Sequence, residues 1–483
     1  MGALLPAYSP YFQSREARMM GVTAGIQSQL TMLIDLYQLT MAEGYWKLNK
    51  HEIPAVFALF FRTLPFGGGF AIACGLQAVI EAVSNFKFEQ NDCEYLANLK
   101  TANGQALFDH SFLEALQKLK LTVDIFGIPE GTVVFSKEPL LRVQGPLWQC
   151  QLLETLLLNL INFPTLIATK AARVCLAAKG EPVIEFGLRR AQGIDGGLTA
   201  SRAAYVGGVT SSSNVLAGFK YGIPIAGTHA HSWVMAFEDE LEAFLAYAQV
   251  SPHNVILLVD TYDTINGIKN AIQVGKKLKN KGSQLLGIRL DSGNLAELSI
   301  KARQMLDEVG LKETKIVGSG DLDEYTIDQL KKEGAKIDIW GVGTRLVTGY
   351  DQPALGGVYK LMAIKGVDGK WQYKAKTTDD PHKKTIGGIH GVRRFSVENT
   401  FTRDVLYNLE KASPEPQENE TVEDLLELIF HQGKLVYTPP KLSDIQLHTQ
   451  SQLDKLPMAL KQLKPEIQYI VVTPRPSPRK GGG

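Results

Sequence analysis

Residues 255 to 291 read "VILLVDTYDTINGIKNAIQVGKKLKNKGSQLLGIRLD". An apolar, β-branched run stops at Asp260, an amphipathic stretch "DTINGIKNAIQVGKKLKN" follows, and a second apolar run stops at Asp291. Apolar residues spaced three and four apart between two continuous apolar runs predict strand, helix and strand, the βαβ unit of a parallel sheet. The unit recurs in both directions. "PVIEF" (182–186) and "IPIAG" (223–227) precede it, and "KIVGSGD" (315–321) and "IDIWGVGT" (337–344) follow, separated by helical stretches such as "LAELSIKARQMLDEVG". Six strands are expected, with room for one or two more near "GGVTSSSNV" (207–215), and closing them gives an irregular parallel α/β barrel over residues 148–346.

The flanks lack this rhythm. "AVFALFFRTLPFGGGFAIACG" and "DIFGIPEGTVVFSKEPLLRVQGP" before it, and "LGGVYKLMAIKG", "KWQYKAKTT" and "KLVYTPPKL" after it, read as short strands with Gly and Pro turns. The expectation is an additional α/β domain built from both flanks, 1–147 and 347–483, packed together. Residues 1–29 read as a disordered leader and 473–483 as a disordered tail. Arg15, Glu16 and Arg18 stand where a signal peptide needs its apolar core.

With 51 basic and 50 acidic side chains in 483 residues, no global field recruits nucleic acid or an anionic membrane, so an anionic ligand must be met by local groups. Cys74, Cys93, Cys150 and Cys175 are scattered without a C-x-x-C pair, which fits reduced thiols and a cytoplasmic protein and gives no zinc spacing.

In a parallel barrel, ligands meet the carboxyl ends of the strands. That rule collects Glu185, Phe186 and Arg189, then His229, His231 and Ser232, then Asp260 and Asp263, then Arg289 and Asp291, then Ser319 and Asp321, and Thr344 with Arg345. The last two strands end in "GSGD" and "GVGT", glycine turns whose N–H groups can approach a phosphate. "HAH" at 229–231 suits a metal, a nucleophile or a turn. A metal would need further imidazoles or carboxylates, and no later strand end carries a histidine, so no protein-held metal is expected. As a nucleophile, one histidine would lean on a carboxylate such as Asp260, and spacing leaves His229 and His231 equivalent.

Together the motifs resemble the nicotinate phosphoribosyltransferase family. They run from "TMLIDLYQLTMAEGYW" through "LFFRTLPFGGGFAIACGL", "EFGLRRAQGIDGGLTASRAAYVGG", "TSSSNVLAG", "GTHAHSW", "LLVDTYDT", "GIRLDSGN" and "GVGTRLVT" to "LGGVYKLMAI", about Thr31 to Ile364. The resemblance implies an irregular barrel beside an N-terminal domain, a homodimer with shared active sites, and transfer of nicotinate onto 5-phosphoribosyl 1-diphosphate. Nicotinate mononucleotide and diphosphate result, with ATP hydrolysed through a phosphohistidine and Mg2+ carried on the phosphates. The family pattern G-T-x-A-H falls on Gly227, Thr228, His229, Ala230 and His231. It makes His231 the phosphorylated residue and gives substrate contacts to Gly227, Thr228 and Ser232.

The resemblance further implies that Tyr37 and Phe186 sandwich the pyridine, Tyr37 reaching across the dimer. Arg189 and Arg289 supply positive charge, Asp260 supports His231, and Asp291 lies near the ribose. Gly318, Ser319, Gly320, Gly343 and Thr344 hold the 5′-phosphate. Relatives acting on nicotinamide carry an aspartate where Ser213 stands, which favours the acid here. The alternatives are a relative using nicotinamide or quinolinate, and a ligand sensor without turnover.

Overall fold

The computed structural model describes residues 30–375 and 386–474, which form two units: 167–353, and 30–166 with the described residues after 353. The expected leader 1–29, nearly all of the expected tail and the end of "KWQYKAKTT" lie outside the described residues.

The first unit is a parallel sheet with helices between its strands. Its strands are β1 (Val183–Glu185), β2 (Ser211–Ser212), β3 (Ile256–Leu258), β4 (Gly287–Leu290), β5 (Lys315–Gly318) and β6 (Ile339–Val342). They lie in the order β2-β1-β6-β5-β4-β3, and every pairing is parallel. All their residues are buried except Arg289 and Lys315, which explains near-continuous apolar runs rather than alternation. Five of the six expected runs form strands, and the extra strand near "GGVTSSSNV" is β2. The run "IPIAG" is the exception, contributing only a bridge of Ile225 to Ser212. Pro224 has no N–H to donate, so the segment offers its carbonyl to Ser212 and takes one bond back through Ala226.

The hydrogen-bonded sheet is therefore open among the described residues, with Ile225 at one edge and β3 at the other. One face still gathers into a single apolar cluster of Ile184, Ala226, Ile256, Val317 and Ile339. The helices α1 (Val215–Tyr221), α2 (Thr264–Asn280), α3 (Leu295–Glu308) and α4 (Glu324–Lys332) follow strand ends or the β2 bridge. Each starts on a side chain that accepts a first-turn N–H: Asn214, Asp263, Asn294 and Asp323. These caps fix where each loop ends, and so where the strand-end residues stand.

The second unit is mainly antiparallel. Seven strands run in the order 371–373, 357–365, 54–61, 141–146, 124–127, 427–431 and 434–435, so segments from both flanks share one sheet. A four-stranded sheet joins 420–424, 390–397, 400–408 and 470–472. The helix Glu154–Ala178 is apolar and long enough to cross a membrane, but 72% of its most apolar window is buried in the protein, as in a core helix.

The four-stranded sheet is built around a buried charge. Arg394 is enclosed and gives Nε and Nη2 to Asp404 at 2.9 and 2.6 Å and Nη1 to Gln452 at 3.1 Å, while Tyr469 donates to Asp404 at 3.0 Å. Burial and the neighbouring Asp404 push the Glu138 carboxyl well above its usual range. Arg394→Met should cost about 3–5 kcal/mol, because it strands Asp404 as an uncompensated buried charge. Urea unfolding checks this. Arg394→Met with Asp404→Leu should recover part of the loss, and an unchanged midpoint in the single variant would refute the account.

Candidate active site

Arg289 organises the carboxyl end of the parallel sheet. It projects from β4, and its guanidinium donates Nε to Ser319 at 2.8 Å, Nη1 to Thr228 at 3.2 Å and Nη2 to Asp291 at 2.6 Å. Ser319 follows β5 and Thr228 follows the bridge at Ile225, so one side chain ties three chain segments together. A guanidinium has five N–H donors and these contacts use three, which leaves two without a protein acceptor among the described residues. Ser319 completes the triangle by donating to Asp291 at 2.5 Å. Burial works against ionisation of Asp291, yet the bonds from Ser319 and Arg289 and the nearby positive charge outweigh it and hold its carboxyl below the usual value.

The two histidines have different surroundings. His231 is partly exposed, and its Nδ1 lies 3.1 Å from Thr261 Oγ1. His229 is 7% exposed and faces inward, edge-on to Tyr247 at 4.8 Å between ring centres. Its Nε2 accepts the Leu258 N–H at 3.2 Å. The expected Asp260–His231 contact is thus replaced by Thr261. Asp260 instead accepts from the Asp291 N–H at 2.9 Å and Ser292 Oγ at 2.6 Å through Oδ2. Its other oxygen, Oδ1, is buried without a hydrogen-bond partner.

A second group forms around Glu185 at the end of β1. This fully buried carboxylate accepts from Ser201 at 2.9 Å, Ser212 at 2.6 Å and the Gly187 N–H. Ser212 Oγ in turn accepts the Asn214 N–H at 2.9 Å, and the Ser213 N–H bonds the Glu185 carbonyl at 2.9 Å. Glu185 therefore locks the loop bearing Phe186 to the loop bearing Ser213. The Arg289 guanidinium stands 5.2 Å over the Phe186 ring. A Cβ at Gly341 would sit 2.6 Å from that ring, so β6 needs glycine there. Arg189 is exposed on the short turn Leu188–Arg190.

Of the expected phosphate loop residues, Gly318 ends β5, and Ser319 is buried with its hydroxyl engaged between Arg289 and Asp291. Gly320 has φ +100°, and a Cβ there would lie 2.1 Å from the Asp291 carbonyl, so glycine is required twice over. Gly343 and Thr344 begin the turn Thr344–Val347. Gly227 and Ser232 are exposed and Thr228 half-buried. Tyr37 belongs to the other unit, on Leu36–Lys47, with its side chain 47% exposed. Burial and the Glu154 carboxylate push its phenol up to about 12. Thr261, Ser292, Ser201, Ser212 and Asn214 are the contributors that sequence motifs do not single out.

A parallel sheet whose carboxyl ends converge on an arginine with free donors, an accessible imidazole and glycine turns defines an α/β enzyme that handles anionic substrates. The comparisons narrow this. The family models for the nicotinate phosphoribosyltransferase N-terminal domain, the nicotinate phosphoribosyltransferase family and the nicotinate phosphoribosyltransferase C-terminal domain match residues 32–162, 182–425 and 397–475. The nicotinate phosphoribosyltransferase of Bacillus subtilis is 44% identical over 92% of both chains. That of Dictyostelium discoideum is 38% identical over 88% of this chain and 83% of its own. The crystal structure of human nicotinic acid phosphoribosyltransferase matches with a TM-score of 0.78 and 34% identity, over 91% of this chain and 97% of that one. This chain belongs to the nicotinate phosphoribosyltransferase family of enzymes.

Proposed function

We propose that this enzyme joins nicotinate to 5-phosphoribosyl 1-diphosphate, releasing diphosphate, in NAD salvage, with ATP hydrolysis coupled through a phosphate carried on His231. The observation that carries the reading is the setting of His231. If Nδ1–H donates to Thr261 Oγ1, the lone pair of Nε2 is free on the exposed side to take the γ-phosphoryl group, while the phosphorus–oxygen bond to ADP breaks. Arg289, with two unused N–H donors beside Asp291, suits the ribosyl phosphates, and the Gly320 and Gly343 turns suit the 5′-phosphate.

Among the described residues no group of three or more His, Cys, Asp or Glu is arranged to hold a metal. Mg2+ arriving on diphosphate needs only one or two protein carboxylates, and Asp260 Oδ1, buried and unpartnered, fits that need. When bound, the ion neutralises charge on the departing diphosphate.

Phe186 forms one face for the pyridine, and Ser213 can donate to a carboxylate, which favours nicotinate over nicotinamide. The exposed ring of Tyr37 suits the opposite face, delivered from a second copy in a homodimer with shared sites. We take the parallel sheet to curl into an irregular barrel. The apolar cluster shared by Ala226, β3, β5 and β6, together with the His229–Leu258 bond between the two open edges, supports this closure. A cytoplasmic setting suits the four unpaired cysteines.

The reading is tested with nicotinate, phosphoribosyl diphosphate and Mg2+, with and without ATP. γ-Labelled ATP should leave acid-labile phosphate on wild-type protein and none on His231→Ala, which should retain slow ATP-independent transfer. Label that persists in His231→Ala would remove it from its assigned role.

Ser213→Asp places a carboxylate where a substrate carboxylate would sit, so kcat/KM should shift from nicotinate toward nicotinamide by roughly tenfold or more. An unchanged ratio would show that Ser213 does not face the ring substituent.

Mixing inactive Tyr37→Ala with inactive His231→Ala protomers should restore about a quarter of wild-type activity. Half the dimers are mixed, and each mixed dimer rebuilds one site of two. Complete exchange with no activity would exclude the shared site.

A further inference from the structure

We propose that His229 is a positioning residue for the reaction: its neutral imidazole stands in for a missing strand partner at the β3 edge and so fixes the loop that presents His231. The proposal rests on the reading of His231 as the phosphoryl acceptor, but its physical basis lies in the backbone.

Val259 N–H bonds the Arg289 carbonyl in β4, so the alternation of a strand turns the Leu258 N–H toward the opposite, unpaired edge. In a continuous sheet that donor would meet a carbonyl of the next strand. Here the next segment, "IPIAG", pairs only with β2 at Ile225, and four residues later the chain supplies an imidazole nitrogen instead. His229 Nε2 takes the Leu258 N–H at 3.2 Å. An acceptor Nε2 requires the proton on Nδ1, which lies 3.3 Å from the Ala230 carbonyl and can donate to it. The ring is seated by Tyr247, edge-on at 4.8 Å, and by Phe244 at 6.0 Å. Trp233 closes the other side of Tyr247 at 5.7 Å and donates its indole N–H to the Ala243 carbonyl at 3.0 Å. Both flanks of His231 are thus anchored, by His229 to β3 and by Trp233 to the helix Glu240–Val250.

Adding a proton at Nε2 would set N–H against N–H at Leu258, with no other acceptor needed there. The seat resists that proton: burial lowers the basicity of His229 most, the Ala230 carbonyl opposes this, and the Arg289 guanidinium adds to the lowering. Of the groups facing it, Tyr247 is a phenol that burial pushes up and so stays neutral, and Arg289 is the fixed charge. Because the folded state binds this proton less readily than the unfolded chain, its contribution is intact above about pH 6.5 and is lost as pH falls below that.

The experiment compares full-length wild type, His229→Leu and His229→Gln by amide hydrogen exchange over 255–260, by ATP-dependent labelling of His231, and by nicotinate kinetics. Gln places Oε1 where Nε2 stood and can accept the same N–H without titrating. His229→Leu should exchange faster at Leu258 and label roughly tenfold to a hundredfold more slowly, with KM for nicotinate within about twofold, since a small misplacement of a reacting group suffices for such a loss. His229→Gln should restore protection and most of the labelling, and its Leu258 protection factor should no longer weaken as pH falls below about 6.5. Wild-type protection and labelling in His229→Leu would overturn the proposal. If that variant does not fold, His229→Gln decides, and an acid-side loss of Leu258 protection unchanged from wild type overturns it. Wild-type protein that takes up no label would instead refute the role of His231, with Leu258 exchange still reporting on the seat of His229.

Discussion

One guanidinium holds the reaction end of this sheet together. Parallel strands with short ladders do little to fix their own ends, because their last carbonyls and side chains run out into loops. Arg289 supplies the missing constraint by binding Asp291 on its own strand, Ser319 beyond β5 and Thr228 beyond the Ile225 bridge. Its charge would be expensive to hold at 16% side-chain exposure without Asp291, whose ionisation it secures in return. The same arrangement leaves two N–H donors without a protein acceptor among the described residues, so under the proposed function the structural brace and the group that meets the anion are one residue.

Glu185 plays the matching part at the other side of the site. A carboxylate with three donors and no salt-bridged cation is satisfied by hydrogen bonds alone, which makes the geometry of Ser201, Ser212 and Gly187 mutually dependent. The ring of Phe186 and the hydroxyl of Ser213 then sit on loops that cannot shift separately. Under the proposed function, specificity for the pyridine substituent would then depend on a buried residue that does not itself contact the substrate.

The parallel sheet was legible because burial on both faces removes alternation and leaves apolar runs punctuated by capped helices. The strand-end rule picked out Arg289, Asp291 and Asp260 for the same reason, whereas His231 follows a run that forms only a bridge. What stayed hidden depended on partners distant in sequence. "HGVRRFSV" (390–397) pairs as a strand although it carries Arg393 and Arg394, because Arg394 is neutralised by Asp404 across the sheet. The apolar run "IPIAG" looked like a strand, but strand propensity does not register that Pro224 removes a donor. Thr261 was overshadowed by Asp260, since a carboxylate is the stronger partner for an imidazole. Which of two adjacent residues faces His231 depends on register across an edge that has no ladder.

That edge explains why "GTHAHSW" carries two histidines. A sheet that stays open at this edge leaves strand donors without acceptors, and a buried N–H left so costs about as much as a lost hydrogen bond. A regular next strand would offer Leu258 a backbone carbonyl, but residues 225–230 form only the bridge at Ile225. An imidazole two residues earlier reaches the same donor from a loop. The two rings thus have opposite environments, one buried with Nε2 accepting the Leu258 N–H, the other partly exposed with Nδ1 3.1 Å from Thr261 Oγ1. Strand spacing makes them look equivalent, and the missing ladder beside them is what makes them differ.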